Sequence, residues 1–380
     1  MKNLKNYLPI IVVTIVSVII VAISSSIYDG GFLNDKMKKN VSYEKAIVKS
    51  VQSEKMQNDT KLDYIEVGTQ DISLEIQSGE YKGQIYNVRN SVSRLYNMKV
   101  KSGSEVVVTV AKEDGQIKDI SLYTHKKDTV MITLIVIFAI LIVVIGKMKG
   151  LKSLVALIFT FINIIYLMVP LMFRGVSPIL AAILVSLVIT IVTLYLLNGN
   201  SKKTYGAIAG TMIGIITAGI IAYIAGNLSN LSGINMENTE NILYVAENSA
   251  LKVNGLMFAG ILIASLGAIM DVAISIASSL SEIYEINSKL TAKDLFKSGM
   301  NIGKDMLGTM SNTLILAFAG GSLSLIILLS SANMNSLQLL NLDVLCTEVI
   351  QGISGSIGIV LTVPCTAYIC AKLFKISLKK

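Results

Sequence analysis

The sequence is poor in charged residues. They make up only 15% of the 380 residues, whereas hydrophobic residues make up 53%. Soluble globular domains carry about a quarter charged residues, so this composition excludes an ordinary cytosolic globular protein. A disordered chain is excluded as well, because disordered chains have too few apolar residues to form a core. We therefore expect an integral membrane protein with one modest soluble part.

Cysteine and histidine are also scarce. The three cysteines, Cys346, Cys365 and Cys370, lie in or beside the last apolar stretch and form no C-x-x-C pair, and His125 is the single histidine. This spacing predicts neither a disulfide framework nor a zinc site. We expect no metal ion and no cofactor.

Eight apolar runs of about 20 residues predict eight membrane-spanning helices. The runs cover residues 7–26, 130–147, 151–173, 177–198, 205–226, 254–280, 305–330 and 346–374. The first run follows Lys2 and Lys5 and is not followed by an A-x-A cleavage site, so it is interpreted as an uncleaved signal anchor rather than a signal peptide. The predicted fold class is an α-helical polytopic membrane protein.

The distribution of lysine predicts the orientation, because cytoplasmic loops of membrane proteins are enriched in Lys and Arg. With the N-terminus inside, fifteen lysines fall on the cytoplasmic side: Lys2, Lys5, Lys147, Lys149, Lys152, Lys202, Lys203, Lys289, Lys293, Lys297, Lys304, Lys372, Lys375, Lys379 and Lys380. The short outer loops carry only Arg174 and Lys252 as bases. We expect a bacterial plasma-membrane protein with both termini cytoplasmic and residues 27–129 extracytoplasmic.

Between the first and second runs the hydrophobic period changes from helical to two. After a polar linker over 27–42, apolar residues alternate at 72, 74 and 76 and again at 106, 108 and 110. Five or six such strands over 43–125 predict a small closed all-β barrel, OB-like or SH3-like. The module has sixteen bases against fifteen acids between residues 27 and 129, so nucleic-acid binding is disfavoured and a structural or protein-contact role is preferred. Residues 130–380 form the predicted seven-helix domain.

Polar residues recur at helical spacing in the last three runs, where they are costly unless they face water or a partner. They are Asp271, Ser275, Ser278 and Glu282 in the sixth, Asp305, Thr309 and Asn312 in the seventh, and Glu348 and Gln351 in the eighth. At 1.5 Å per residue, Asp271 lies roughly 14 Å and Asn312 roughly 11 Å above the cytoplasmic face, which predicts a common level.

Two explanations remain open for these stripes. One is helix packing, because Ser, Thr and Gly mediate close contacts between helices in membranes. We prefer it for the Ser, Thr and Gly members of the stripes and for Gly206, Gly210 and Gly214. For Asp271 we prefer a functional role as a proton or cation site, because a carboxylate about half-way through a span is costly.

The cytoplasmic segment over 281–304 is amphipathic. Thr291 with Asp294 predicts a helix N-cap, and Leu295 with Met300 lies either on the membrane surface or in a solvated connecting helix.

Catalytic motifs are missing from the sequence. It contains no G-x-x-x-x-G-K-[ST] and no H-E-x-x-H, and no histidine falls in a predicted span. An intramembrane aspartyl protease is disfavoured, because Asp305 lacks the G-x-G-D context and lies roughly 14 Å from the level of Asp271. We expect no enzymatic activity.

Two motifs carry a family resemblance. Residues 267–282, GAIMDVAISIASSLSE, and residues 303–316, GKDMLGTMSNTLIL, resemble the YibE/F-like family of bacterial membrane proteins. The order of one span, a β module containing Gly-Glu-Tyr-Lys-Gly and seven further spans is also similar to that family. The resemblance implies a multi-pass membrane protein. Members of the family are sometimes presumed to transport, and the family has no established activity.

The leading hypothesis is a secondary transporter or permease for a small solute or ion. Asp271 would couple transport, with Ser275, Thr309 and Asn312 as ligands and Ser278 as a further candidate on the same helical face. Asp305 and Glu282 would form the cytoplasmic exit, and Glu348 and Gln351 the outer mouth. The alternative is a non-catalytic assembly or envelope-sensing protein whose β module binds a partner. The expected partners are the lipid bilayer, an unidentified solute or ion, and a second copy or an envelope protein; no nucleic acid is expected.

Overall fold

The computed structural model describes residues 2–27, 41–113, 116–231, 239–247 and 249–376. The chain divides into two compact units, one of Tyr28–Leu141 and one of Met1–Ile27 with Ile142–Lys380. Nearly all of the predicted linker over 27–42 lies outside the described residues.

The first unit contains a five-stranded antiparallel sheet, hereafter the β module. Its strands are β1 (Val41–Asn58), β2 (Glu66–Ile76), β3 (Ile85–Val92), β4 (Glu105–Glu113) and β5 (Gln116–His125). The spatial order is β3-β2-β1-β4-β5, so the longest strand lies at the centre. Gly79 and Gly83, both at positive φ, lie in the turn between β2 and β3.

The period-two pattern is confirmed by burial. Because side chains alternate between the two faces of a strand, one face of each strand forms the module's own core. The fully buried members include Val48, Ile72, Leu74, Ile76, Val106, Val108 and Val110.

The sheet is an open half-barrel rather than the predicted closed barrel. β1 pairs with both β2 and β4, and two register shifts, between Val48 and Ser50 and between Val51 and Ser53, bend it along its length. Some Cα atoms of β3 and β5 come within 8 Å of each other, but no hydrogen-bonded ladder joins these strands in the described part of the module. The alternation of apolar residues specifies which face of a strand is buried but not which edge strands pair. The sequence therefore could not show that the barrel stays open between β3 and β5.

The described helices are α1 (Lys2–Ile27), α2 (Asp128–Asn163), α3 (Val169–Phe173), α4 (Pro178–Asn198), α5 (Lys202–Leu228), α6 (Thr239–Glu247), α7 (Leu256–Ile286), α8 (Ala292–Gly321), α9 (Leu323–Ser331), α10 (Ser336–Leu340) and α11 (Asp343–Lys375). A single π-helical turn, Ile164–Met168, joins α2 to α3. Within the described residues, six helical stretches are long and apolar enough to cross a membrane, and the pair α8 and α9 would make a seventh. The sequence predicted eight.

Part of that difference arises from the 46-residue stretch Asp128–Phe173, which the sequence divided into two spans. The helix breaks at Lys147, which has φ 48° and ψ −128°. Gly150 lies directly against the backbone carbonyl of Ile142. In a straight helix residues eight apart are about 12 Å apart, so the chain must bend sharply at Lys147.

The predicted seventh span over 305–330 ends one residue before α9 does, but it is not a single straight helix, and the helix that contains its start begins earlier. α8 begins at Ala292, where Thr291 and Asp294 form the expected capping box, and it continues to Gly321. α9 follows at an angle of 63°, so the apolar run bends at Ser322. Leu295 is fully buried and Met300 packs against the bundle core, because the start of α8 packs against α11. Neither prediction for the 281–304 segment, a membrane-surface helix or a solvated connector, describes these two residues.

The glycine ladder of α5 is a packing surface, as predicted. Each of its three glycines lies against a small side chain of α11, so that the helices approach closely. The pairs are Gly206 with Cys370, Gly210 with Thr366, and Gly214 with Thr362.

Candidate functional site

The stripe predicted in the sixth run lies on α7, on a face that the bundle leaves uncovered. Asp271 is exposed, whereas Ser275 and Ser278 are half-buried. A Cβ added at Gly260 or Gly267, on the same face, would meet no atom within 4 Å. The opposite face of α7 is buried in the core, so the helix has one packed side and one open side.

Asp271 has no partner in the described part of the chain. No hydrogen bond or ion pair reaches its carboxylate from any described residue, and no cluster of His, Cys, Asp or Glu suited to a metal ion occurs among them. The site is therefore a single acidic group on a face of small and hydroxyl side chains.

The stripe predicted in the seventh run lies on α8 and is also uncovered. Asp305, Thr309 and Asn312 are exposed, and a Cβ at Gly308 would meet nothing within 4 Å. The Thr309 hydroxyl donates to the carbonyl of Met306 in its own helix at 3.0 Å. This face thus presents one carboxylate and one amide whose polar atoms remain available.

The remaining predicted residues lie at the ends of their helices. Glu282 is exposed in the last turns of α7. Glu348 and Gln351 are half-buried in the early turns of α11. Glu348 also borders an apolar groove of about 230 Å³ that Phe318 and Ser322 help to line.

The structure does not join these groups to one another. No hydrogen bond or ion pair within the described residues connects any two of the nine predicted side chains. The three helices meet instead at Gly355 of α11, where a Cβ would meet Ser265 of α7 at 2.5 Å and Leu314 of α8 at 2.8 Å. The open faces of α7 and α8 lie on other sides of their helices than this contact.

Sequence reasoning missed a set of buried hydroxyl groups elsewhere in the bundle. Their side-chain oxygens are fully buried and form no hydrogen bond with any described atom. The same is true of the side-chain amide oxygen of Asn163. Three of these residues, Ser186, Thr190 and Thr193, recur at +4 and +7 in the apolar helix α4, and this helical spacing is the signal that could have identified them. They are Ser186, Thr190 and Thr193 in α4, Thr211 in α5 and Thr366 in α11.

In the β module, a fully satisfied polar network lies under the segment that follows β3. Gln70 is completely buried; its Nε2 donates to the Val100 carbonyl at 3.0 Å and its Oε1 accepts from the Val100 N–H at 3.0 Å. Asn90 Nδ2 donates to Gln70 Oε1 at 3.1 Å and to the Met98 carbonyl at 2.7 Å. The network fixes residues 98–100 to β2 and β3.

The same segment is held by an ion pair. Asp59 and Arg94 form two charge-assisted hydrogen bonds, and the backbone N–H groups of Lys61 and Leu62 also donate to the Asp59 carboxylate. The Arg94 guanidinium, followed by these N–H groups, lowers the pKa of Asp59 to about 2. The carboxylate is therefore charged at every physiological pH.

A polar groove of about 530 Å³, here called the seam groove, lies between β3 and β5. Arg89 on β3, Lys127 after β5 and His125 at the end of β5 supply its basic side chains. Neither Arg89 nor Lys127 forms an ion pair with a described residue. No Asp or Glu of the described chain lines the groove, so its walls carry positive charge.

Comparison with known proteins identifies the family over nearly the whole chain. A family model described as YibE/F-like protein matches residues 134–376, and one described as the YibE/F family N-terminal domain matches residues 40–123. Neither a search of curated proteins nor a search of solved structures found a match. The two matches confirm the resemblance that the motifs at 267–282 and 303–316 indicated. The chain therefore belongs to the YibE/F family.

Proposed function

We propose that the chain is an integral membrane protein that acts as a secondary transporter or permease for a small solute or ion, with Asp271 as the coupling group. The observation that carries the proposal is the exposure of Asp271 on the open face of α7, a helix of 31 residues whose opposite face is packed in the core. A carboxylate within a bilayer costs several kcal/mol unless it faces water or a partner. Asp271 has no partner among the described residues, so its open face borders a hydrated path or a second copy.

The neighbouring groups support a path rather than an isolated charge. Ser275 and Ser278 continue the face of Asp271 toward the cytoplasmic end of α7, and Glu282 lies beyond them. The exposed residues of α8 would add an amide and a second carboxylate. Hydroxyl, amide and carboxylate oxygens replace the hydration shell of a cation or relay a proton.

Reconstitution into liposomes tests this function. Proton flux would be followed with an entrapped pH dye under a potassium diffusion potential, at several external pH values. We expect flux with the natural chain, loss of flux and of its pH dependence with Asp271→Asn, and partial retention with Asp271→Glu. Glu285→Gln is the matched control, because Glu285 is exposed on the same helix and bonded to Ser281. Unchanged flux in Asp271→Asn would refute the role of Asp271.

Orientation follows from the lysine distribution. We infer a bacterial plasma membrane location, cytoplasmic termini and an extracytoplasmic β module. A cysteine introduced at Tyr64, which is 83% exposed, should react with a membrane-impermeant maleimide in intact cells. A cysteine at Lys203 should react only after the cells are permeabilised. Labelling at position 203 but not at position 64 in intact cells would show that the orientation is the opposite one.

The second candidate function is assembly or envelope sensing through the β module, which the open half-barrel favours because a sheet with free edges can bind another chain. Deleting residues 43–123 separates the two functions. A permease should retain measurable flux without the module, whereas a scaffold should lose its entire cellular phenotype. An untargeted comparison of solutes inside and outside cells that lack the gene would identify the substrate class.

A further inference from the structure

We propose that the seam groove of the β module binds an extended acidic peptide segment of a partner protein, which adds as a strand to the free edge of β5. The first support is the edge of β5, which forms no ladder with β3 among the described residues. A bound strand needs β3 and β5 to lie about 9.6 Å apart, so the two strands must separate where their Cα atoms now lie within 8 Å. β5 pairs only with β4 among the described strands, and residues 121–125 border the groove consecutively. A free edge presents a row of backbone N–H and C=O groups, and an extended peptide is the ligand whose own backbone matches that row.

The charge of the groove selects an acidic peptide. Arg89 and Lys127 are exposed and unpaired within the described chain. Asp71 lies opposite Arg89 in the β2–β3 register, but its carboxylate accepts a hydrogen bond from Ser53 at 2.6 Å instead. Two unneutralised cations in a groove without a lining carboxylate favour negatively charged side chains on the bound strand.

The rim of the groove offers apolar contacts on a fixed segment. Leu95 is 91% exposed and Tyr96 is 77% exposed, and both line the groove. The segment that carries them is held by Asn97, which donates to the Glu66 carbonyl, and by the bond from Asn90 to Met98. A backbone segment that is held in place before binding lowers the entropic cost of association.

The test measures binding of a defined peptide to the purified full-length chain by fluorescence anisotropy. The probe is a fluorescein-labelled octapeptide of four Glu-Val repeats. Its controls are a Lys-Val octapeptide, a Glu-Val octapeptide methylated at every backbone nitrogen, and inorganic polyphosphate. The variant Arg89→Gln/Lys127→Gln removes both cations, and Lys61→Gln/Lys82→Gln removes two exposed lysines that do not line the groove.

We expect the Glu-Val peptide to bind and the Lys-Val and methylated peptides not to bind. Arg89→Gln/Lys127→Gln should weaken the affinity about tenfold, whereas Lys61→Gln/Lys82→Gln should leave it unchanged. Absence of binding by the Glu-Val peptide overturns the proposal. Equal binding of the methylated peptide or of polyphosphate also overturns it, because either result would make the groove a general polyanion site. The outcome is independent of flux through the bundle, since it concerns only the β module.

Discussion

Arg94 donates from Nε and Nη2 to the two carboxylate oxygens of Asp59 at 2.5 and 2.6 Å, and this pair ties the loop after β1 to the segment after β3. The ion pair makes the free energy of unfolding of the β module depend on pH. Because the pKa of Asp59 is lowered from 3.8 to about 2, the unfolded module binds more protons than the folded one between these values. The stabilisation that the Asp59–Arg94 ion pair contributes is fully present above about pH 4 to 5 and is lost as the pH falls through about 2.

Urea unfolding of a fragment spanning 41–127 at pH 6, 4, 3 and 2 measures this effect; the module's core consists entirely of its own residues. Asp59→Asn should lower the midpoint at pH 6, and its stability should fall less than that of the natural sequence between pH 4 and 2. Lysine partners also lower the pKa values of Glu54 and Glu75 in the module, so the difference between the two curves is the relevant quantity. If the stabilities of Asp59→Asn and of the natural sequence fall in parallel between pH 4 and 2, the lowered pKa of Asp59 is contradicted.

Gln70 is the centre of the buried network, so its loss should destabilise the module strongly. Gln70→Met removes the groups that bond to Asn90 and to both backbone atoms of Val100, and leaves these buried partners unsatisfied. We expect a loss of about 2–4 kcal/mol in the free energy of unfolding. Gln57→Met, at an exposed position of β1, is the control and should change it by less than about 0.5 kcal/mol. A small effect of Gln70→Met would mean that water satisfies the partners.

Local periodicity and helix capping could be predicted from the sequence. Alternation at 72, 74 and 76 specified both a strand and its buried face, and Thr291 with Asp294 specified the beginning of a helix. These features depend on residues within one or two turns or along one strand, which a single sequence contains.

Two breaks in the helices also have local signals. The break at Lys147 lies at the boundary that the sequence placed between the second and third runs, and the bend at Ser322 directly follows Gly320 and Gly321. How the helix faces meet depends instead on contacts between distant residues. The sequence placed Asp271 and Asn312 on helix faces and predicted a common depth for them. Whether those faces meet depends on helix rotation, which is set by Gly355 packing against Ser265 and Leu314.

The contact between Gly206 and Cys370 predicts a rescue. A Cβ at Gly206 would overlap the sulfur of Cys370, but it would lie 3.6 Å from the Cys370 Cβ, which is ordinary van der Waals contact. Gly206→Ala should therefore destabilise the bundle by about 1–3 kcal/mol, and adding Cys370→Ala should recover most of that loss.

Unfolding of the purified chain in mixed detergent micelles by increasing SDS measures both variants. Gly308→Ala is the matched control, because its Cβ would meet nothing within 4 Å. It should be neutral or slightly stabilising, since alanine favours a helix over glycine by up to about 1 kcal/mol. Additive effects of Gly206→Ala and Cys370→Ala would show that the two residues do not touch.

Thr211 offers a test of the buried hydroxyl groups. Its side chain is fully buried in α5 and its hydroxyl has no hydrogen-bond partner among the described atoms. Thr211→Val keeps the volume and removes an unsatisfied polar atom, so the bundle should be equally stable or up to about 1 kcal/mol more stable. Thr211→Ala should instead lose about 1–2 kcal/mol, because it leaves a cavity. If Thr211→Val proves as costly as Thr211→Ala in the SDS assay, the hydroxyl has a bound water or ion as its partner. The buried hydroxyl groups would then replace the open face of Asp271 as candidates for the proposed permeation path.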